Sequence, residues 1–170
     1  MADWKTAPDD AVRRLLTGLR AVSWPIPQSE ADALLARLGW QETQRRASGV
    51  FADAGLGISP MEAAMMFTQY ADEPRILMLE VDVTDEVLGD SPAEIAFRQD
   101  EFVRVVRLAT EELGPPTERR QTAVPEVRWR DGRSSLAVVR SGIAVQVRMQ
   151  DHAQQVIDDE ADARALEAQA

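Results

Sequence analysis

Apolar residues recur at helical spacing near the start of the chain. Val12, Leu15, Leu16, Leu19 and Val22 fall three or four apart, with Arg13, Arg14 and Arg20 largely between them. The spacing predicts a helix from about Pro8 to Val22, with Thr6 as its N-cap and Asp9 and Asp10 well placed against the helix dipole. Trp24-Pro25-Ile26-Pro27 stops it. A second helix is predicted from Ser29, whose Asp32 three residues later resembles a capping box, with Leu34, Leu35 and Leu38 as the buried face. Gly39 ends that helix in the left-handed position and Trp40 follows as its apolar anchor. Beyond it the period changes. Residues 41–47 and 62–70 read as strands around the turn-rich 55–60, although Met61, Met65, Met66 and Phe67 also suit a helix. Residues 75–84 alternate more clearly, placing Leu77, Leu79, Val81 and Val83 on one face and Met78, Glu80, Asp82 and Thr84 on the other. Ala71-Asp72-Glu73-Pro74 has the residues of a hairpin turn.

Ser91-Pro92-Ala93-Glu94 combines an N-cap, a proline at the first helical position and an acid at the third. The predicted helix runs to about Leu113, buries Ile95, Phe102, Val105, Val106, Ala109 and Leu113, and ends at Gly114-Pro115-Pro116. Two hairpins follow. An Asp131-Gly132 turn pairs Arg130 with Arg133 and Val127 with Leu136; a Ser141-Gly142 turn pairs Arg140 with Ile143 and Leu136 with Val147. Both registers put Val127, Trp129, Leu136, Val138, Val145, Val147 and Met149 on one face. Arg128, Arg130, Ser135, Gln146 and Arg148 take the other, which is expected to be solvated, to seat the chain's own acidic tail, or to meet an acidic partner. The expected fold class is α+β: two N-terminal helices, an antiparallel sheet of about five to six strands interrupted by one long helix, and a C-terminal helix or tail. Residues 1–150 form the domain, and 151–170 the acidic helix or tail, thinly apolar with Val156, Ile157 and Leu166.

Charge changes the picture more than composition does. The net charge of −10 is uneven. Residues 61–115 hold thirteen acids against four bases, residues 116–150 seven bases against three acids, and residues 151–170 six acids against one base. Such a chain is repelled by nucleic-acid backbones and anionic lipid and attracted by basic proteins. The absence of cysteine removes disulfides, zinc-thiolate sites and thiol nucleophiles, and suits a reducing cytoplasm. Met1-Ala2-Asp3-Trp4-Lys5 lacks the basic and apolar run of a signal peptide and no stretch approaches the length of a membrane span, so neither export nor membrane insertion is expected.

Candidate chemistry is sparse. His152 is the only histidine and lies at the start of the acidic tail, where a surface role is expected, and there is no nucleophile elbow or phosphate loop. Glu80 and Asp82 on one strand face evoke a glycosidase pair but are explained by outward strand positions. Asp82, Asp85, Glu86, Asp90 and Glu94 match no calcium-loop spacing, so no metal, cofactor or catalytic residue is assigned. Those five, with Asp100 and Glu101, instead form the expected partner-binding surface, and Arg128, Arg130 and Arg148 an arginine face.

Leu38-Gly39-Trp40, Leu113-Gly114-Pro115-Pro116 and Val127-Arg128-Trp129-Arg130, followed by the strands of Leu136 and Val145, resemble an uncharacterised family of small actinobacterial proteins. The resemblance spans most of residues 8–149 and implies no activity. The element order is also similar to the type III secretion chaperone-like fold and to immunity proteins of toxin systems, from which the chain departs by its two N-terminal helices and its third strand after the long helix. These likenesses imply a non-catalytic protein that occludes a basic partner through an acidic surface. The alternatives are a chaperone-like protein, dimeric, holding an extended client segment, and a small-ligand protein or enzyme with an unrecognised site.

Overall fold

The computed structural model describes residues 3–68 and 72–169. In order, the chain forms helix α1 (Asp9–Arg20), strand β1 (Ile26–Pro27), a single 3₁₀ turn, α2 (Ala31–Leu38), and strands β2 (Gln41–Arg46), β3 (Gly49–Asp53), β4 (Ala63–Phe67) and β5 (Arg75–Asp82). The long α3 (Pro92–Leu113) precedes β6 (Glu118–Arg120), β7 (Glu126–Arg130), β8 (Ser134–Arg140), β9 (Val145–Asp151) and α4 (His152–Glu167). All strands join one antiparallel sheet in the order β2-β3-β4-β5-β9-β8-β7-β6, with β1 paired to the start of β5. The fold is therefore α+β, with nine strands where five to six were expected. The additional strands are those with the weakest local signal: two-residue β1, the three charged residues of β6, and β3, which is short and opens on Gly49. That glycine is required by packing, because a Cβ there would lie 2.2 Å from the Met65 carbonyl oxygen.

The strand reading of 62–70 holds over Ala63–Phe67, while Gln69, Tyr70 and the first residue of the Ala71–Pro74 turn lie outside the described residues. On β5 the expected face is corrected at one end. Met66 pairs with Met78 but Phe67 pairs with Ile76, so Leu77 is an inserted bulge residue and Ile76 takes the buried side.

Residues Val12, Leu15, Leu16, Leu19 and Val22 are all buried, as their spacing predicts. Thr6 does not cap that helix; it bridges to Thr84 in a short extended pairing, and Pro8 occupies the N-cap without a side-chain bond. Ser29 likewise falls within the 3₁₀ turn, and Asp32 pairs with Arg45 at 2.5 Å instead of closing a capping box. Gly39 adopts φ 70° and Trp40 is buried, as expected of a left-handed helix end.

The capping box of Ser91 and Glu94 is present and starts α3. Its buried stripe is Phe102, Val105, Val106, Leu108 and Ala109, but Ile95 faces solvent and Arg98 takes the buried position one turn on. At the far end of α3, Trp129 Nε1 donates to the Gly114 carbonyl at 2.8 Å, so the buried indole secures the helix terminus.

Both hairpin registers are shifted by two residues. Trp129 pairs with Leu136 and Val127 with Val138; Arg140 pairs with Val145 and Leu136 with Met149. The cause is side-chain chemistry at the residue expected to open each turn. Asp131 Oδ1 accepts from the N–H groups of Arg133 and Ser134, and Ser141 Oγ accepts from those of Ile143 and Ala144. Asp131 and Ser141 thus stand before their turns, not within them. A shift of two preserves the faces, so the seven apolar residues expected inside are all in the core.

That core lies between the sheet and α1, α2 and α3. Among the described residues none after Met149 joins it. α4 lies on the opposite face, over β8 and β9.

Candidate functional site

The acidic stretch after β5 is held tightly from both sides. Ala7 N–H donates to the Val83 carbonyl at 2.8 Å, Asp85 N–H to the Lys5 carbonyl at 2.9 Å, and Lys5 N–H returns a bond to Asp85 Oδ2 at 2.7 Å. Val87 is buried and its N–H donates to the Ile143 carbonyl at 2.7 Å. Arg98, reaching up from α3, donates through Nη1 to the carbonyls of Val87 and Gly89 at 2.7 and 2.8 Å. Its Nη2 pairs with Asp90 at 2.8 Å. The segment between these anchors presents Leu88, which is 79% exposed. Glu86 and Asp90 are exposed on either side of it, and Ile143 and Ile95 are exposed on the two elements that pin the loop.

Electrostatics at this end follow first from burial and then from crowding of like charge. Burial pushes the Asp82 carboxyl up to about 6, and the charges of Glu80, Glu86 and Glu62 add to that rise, while the bond from Gln146 Nε2 at 2.8 Å opposes it. Glu62 is itself buried, its two oxygens accepting from the N–H groups of Leu56, Ile58 and Ser59. It therefore organises the loop after β3, and neighbours Asp82 as a fixed acid.

Of the residues expected to form the acidic surface, the structure places Asp82, Asp85, Glu86, Asp90 and Glu94 at the end of the sheet where β5 finishes. Glu94 is committed to the Ser91 N–H at 2.8 Å, and the bonds to Ser91 hold its carboxyl below the ordinary range. Asp100 is exposed farther down α3, roughly 9 Å along the axis from Glu94. Glu101 turns to Arg104, at 2.7 Å, toward α1. Sequence reasoning missed Leu88, Ile95 and Ile143. The available signal was a leucine between Glu86 and Asp90, with no helical or strand period to bury it.

The arginine face is not solvated as a whole. Arg128 is 2% exposed beneath α4. Asp159 of that helix meets Arg120 at 2.9 Å, Arg128 at 2.8 Å and Arg130 at 3.0 Å, with Glu118 and Glu126 completing the cluster. Burial disfavours ionisation of Asp159, but Arg128, Arg120 and Arg130 outweigh it and hold the carboxyl below its ordinary range. Arg148 instead pairs with Glu80 at 2.7 Å. The acidic tail therefore occupies the seat that its charge suggested, while Val156, Ile157 and Leu166 point outward.

Among the described residues no group of three or more His, Cys, Asp or Glu side chains is arranged to hold a metal ion, and no helix is long and apolar enough to cross a membrane. Residues 10–151 match a family described as a family of unknown function (DUF6301). No curated protein matches the chain. A solved structure, that of a DUF4309 family protein (YjgB) from Bacillus subtilis subsp. subtilis str. 168, is similar at 16% identity and a TM-score of 0.43, covering 84% of this chain and 97% of that one.

Proposed function

The chain belongs to this family of unknown function, DUF6301, and from its own surface we propose that it is a non-catalytic, immunity-like domain that occludes a basic partner protein. The observation carrying the proposal is Leu88, an apolar side chain displayed at 79% exposure on backbone pinned by Arg98 and Val87. A preordered apolar residue loses little entropy on binding, and the surrounding acids steer a cationic partner and exclude water at the rim. Asp82, Asp85, Glu86 and Asp90 supply that rim.

Tagged protein in lysate of its own host provides the test, run with wild type, L88A and E86R. The proposal expects one dominant basic protein, lost at raised salt, captured at least about tenfold less by L88A and less by E86R. It expects the captured protein to lose its activity at one equivalent of wild type. Equal capture by all three proteins, or a captured protein whose activity is unchanged, would sink the inhibitor reading.

A specific feature favours the chaperone-like alternative. Phe51, Met66 and Leu77 line a depression of about 310 Å³ on the sheet face that α4 leaves open. That reading expects a homodimer in light scattering and loss of client binding in M66D with L88A unaffected.

A further inference from the structure

Arginine in this chain is mostly committed to carboxylates: twelve of the eighteen form ion pairs among the described residues. Arg75 and Arg133 do not, although the chain holds 29 acids. Both border one cavity of about 350 Å³, which Trp24, Pro25, Asp151 and His152 also line. Four separate segments meet there: the residues before β1, the start of β5, the turn between β7 and β8, and the junction of β9 with α4. The convergence is fixed by pairing, since Pro27 is in register with Arg75, Ser134 with Asp151, and His152 N–H donates to the Arg133 carbonyl at 3.0 Å.

The same lining holds two polar atoms without a partner. Trp24 is 3% exposed and, among the described residues, its Nε1 has no acceptor; His152 Nδ1 is buried and has no partner among them either. Leaving a buried indole N–H without an acceptor is unfavourable in a folded protein, and such orphans are few. The one carboxylate in the lining, Asp151, already accepts from the Ala153 N–H through Oδ1 at 2.9 Å as the cap of α4. Neither Asp151 nor any other described side chain of the lining bonds the Trp24 Nε1, which leaves that donor open to an acceptor from outside the chain.

We propose that this cavity is a binding site for a small oxyanion, a carboxylate or phosphate group, held by the guanidinium groups of Arg75 and Arg133 and by the indole N–H of Trp24. Guanidinium forks match the oxygens of both groups, and a bound oxyanion favours the tautomer of His152 with a proton on Nδ1. Neither orphan atom is open to bulk water. Arg75 and Arg133 are exposed and form no ion pair among the described residues, so rotation of their side chains, on the timescale of surface rotamers, admits the ligand. The net charge of −10 repels long polyanions, yet a single small anion responds mainly to the nearest donors, because charges beyond a Debye length of about 8 Å are screened. The site lies at the opposite end of β5 from Asp82, roughly 23 Å away, and does not depend on the proposed partner surface.

Isothermal titration of the full chain with inorganic phosphate and, separately, with succinate tests the site. Saturable binding with a dissociation constant on the order of 1 mM or tighter is expected for at least one probe, and the preferred probe identifies the oxyanion. R75A and R133A should each weaken it about tenfold, and W24F, which keeps an aromatic side chain but replaces the indole and removes its N–H, should weaken it severalfold. Circular dichroism of each variant confirms that the fold is retained; because Arg75 and Arg133 are exposed, their replacement leaves the core intact. No saturable heat with either probe up to about 10 mM, or binding that persists undiminished in the R75A/R133A double variant, overturns the proposal.

Discussion

Asp82 shows how one residue's setting converts into a measurable property. Its folded-state carboxyl titrates near 6, above the 3.8 of an unperturbed aspartate, so the folded chain holds that proton more tightly than the unfolded chain does. The associated stability is full below pH 3.8 and is lost as pH rises through about 6. D82N keeps an oxygen to accept from Gln146 and removes the charge. It should therefore stabilise the protein at pH 7 by about 1–2 kcal/mol, a figure already reduced for solvent access, and the gain should vanish by pH 3.5 to 4. Urea titrations of both proteins across that range measure the difference. A gain that stays constant with pH would mean that burial of the Asp82 charge, with Glu80, Glu86 and Glu62 beside it, is not its source.

Among the elements, α4 stands apart because it is held by charge and hydrogen bonds while its apolar side chains face out. Gln155 is buried under it, Gln150 bonds Asp158, and Asp159 sits among three guanidinium groups. Sixteen residues of such a helix are marginal without docking. D159A leaves the Arg128 charge short of a counterion in a buried position and should cost about 2–4 kcal/mol of helix docking. Hydrogen exchange should then show lost protection over 152–167 with β8 and β9 still protected. Unchanged protection there would show that Asp159 does not hold the helix. The native pair also has a pH limit, since a carboxyl held below 3.8 keeps its contribution above that value and loses it as pH falls through the depressed one.

For the molecule as a whole, acids gather at the Asp82 end of the sheet and unpaired arginines at the Arg75 end. The two kinds of residue at the acidic end should act on different rate constants. Association with a basic partner should slow as ionic strength rises, and E86R should reproduce that slowing. L88A should leave association nearly unchanged and raise dissociation at least about tenfold. Biolayer interferometry with the captured partner separates the two; an L88A effect confined to association would place Leu88 outside the contact.

Wherever a local signal was strong, the sequence by itself determined the outcome: the apolar periods of α1 and α3, the Ser91 capping box, the Gly39 terminus and the inner face of β7, β8 and β9. Each depends on residues within a few positions of one another, which is the range over which helical and strand periods act. Hairpin register was legible only to within two residues, because an Asp or Ser can stand inside a turn or before it and the core face is the same either way. Tertiary structure alone decided the rest. Glu118 to Arg120 form a strand because β7 offers an edge, Leu77 bulges because β4 and β5 differ in length across their pairing, and Ile95 yields its buried place to Arg98 because the carbonyls of Val87 and Gly89 converge there. The exposure of Leu88, the meeting of Asp159 with its arginines, and the cavity of Trp24, Arg75, Arg133 and His152 likewise join residues far apart in the chain. No local period encodes such meetings, since they depend on which backbone groups the finished sheet leaves facing one another.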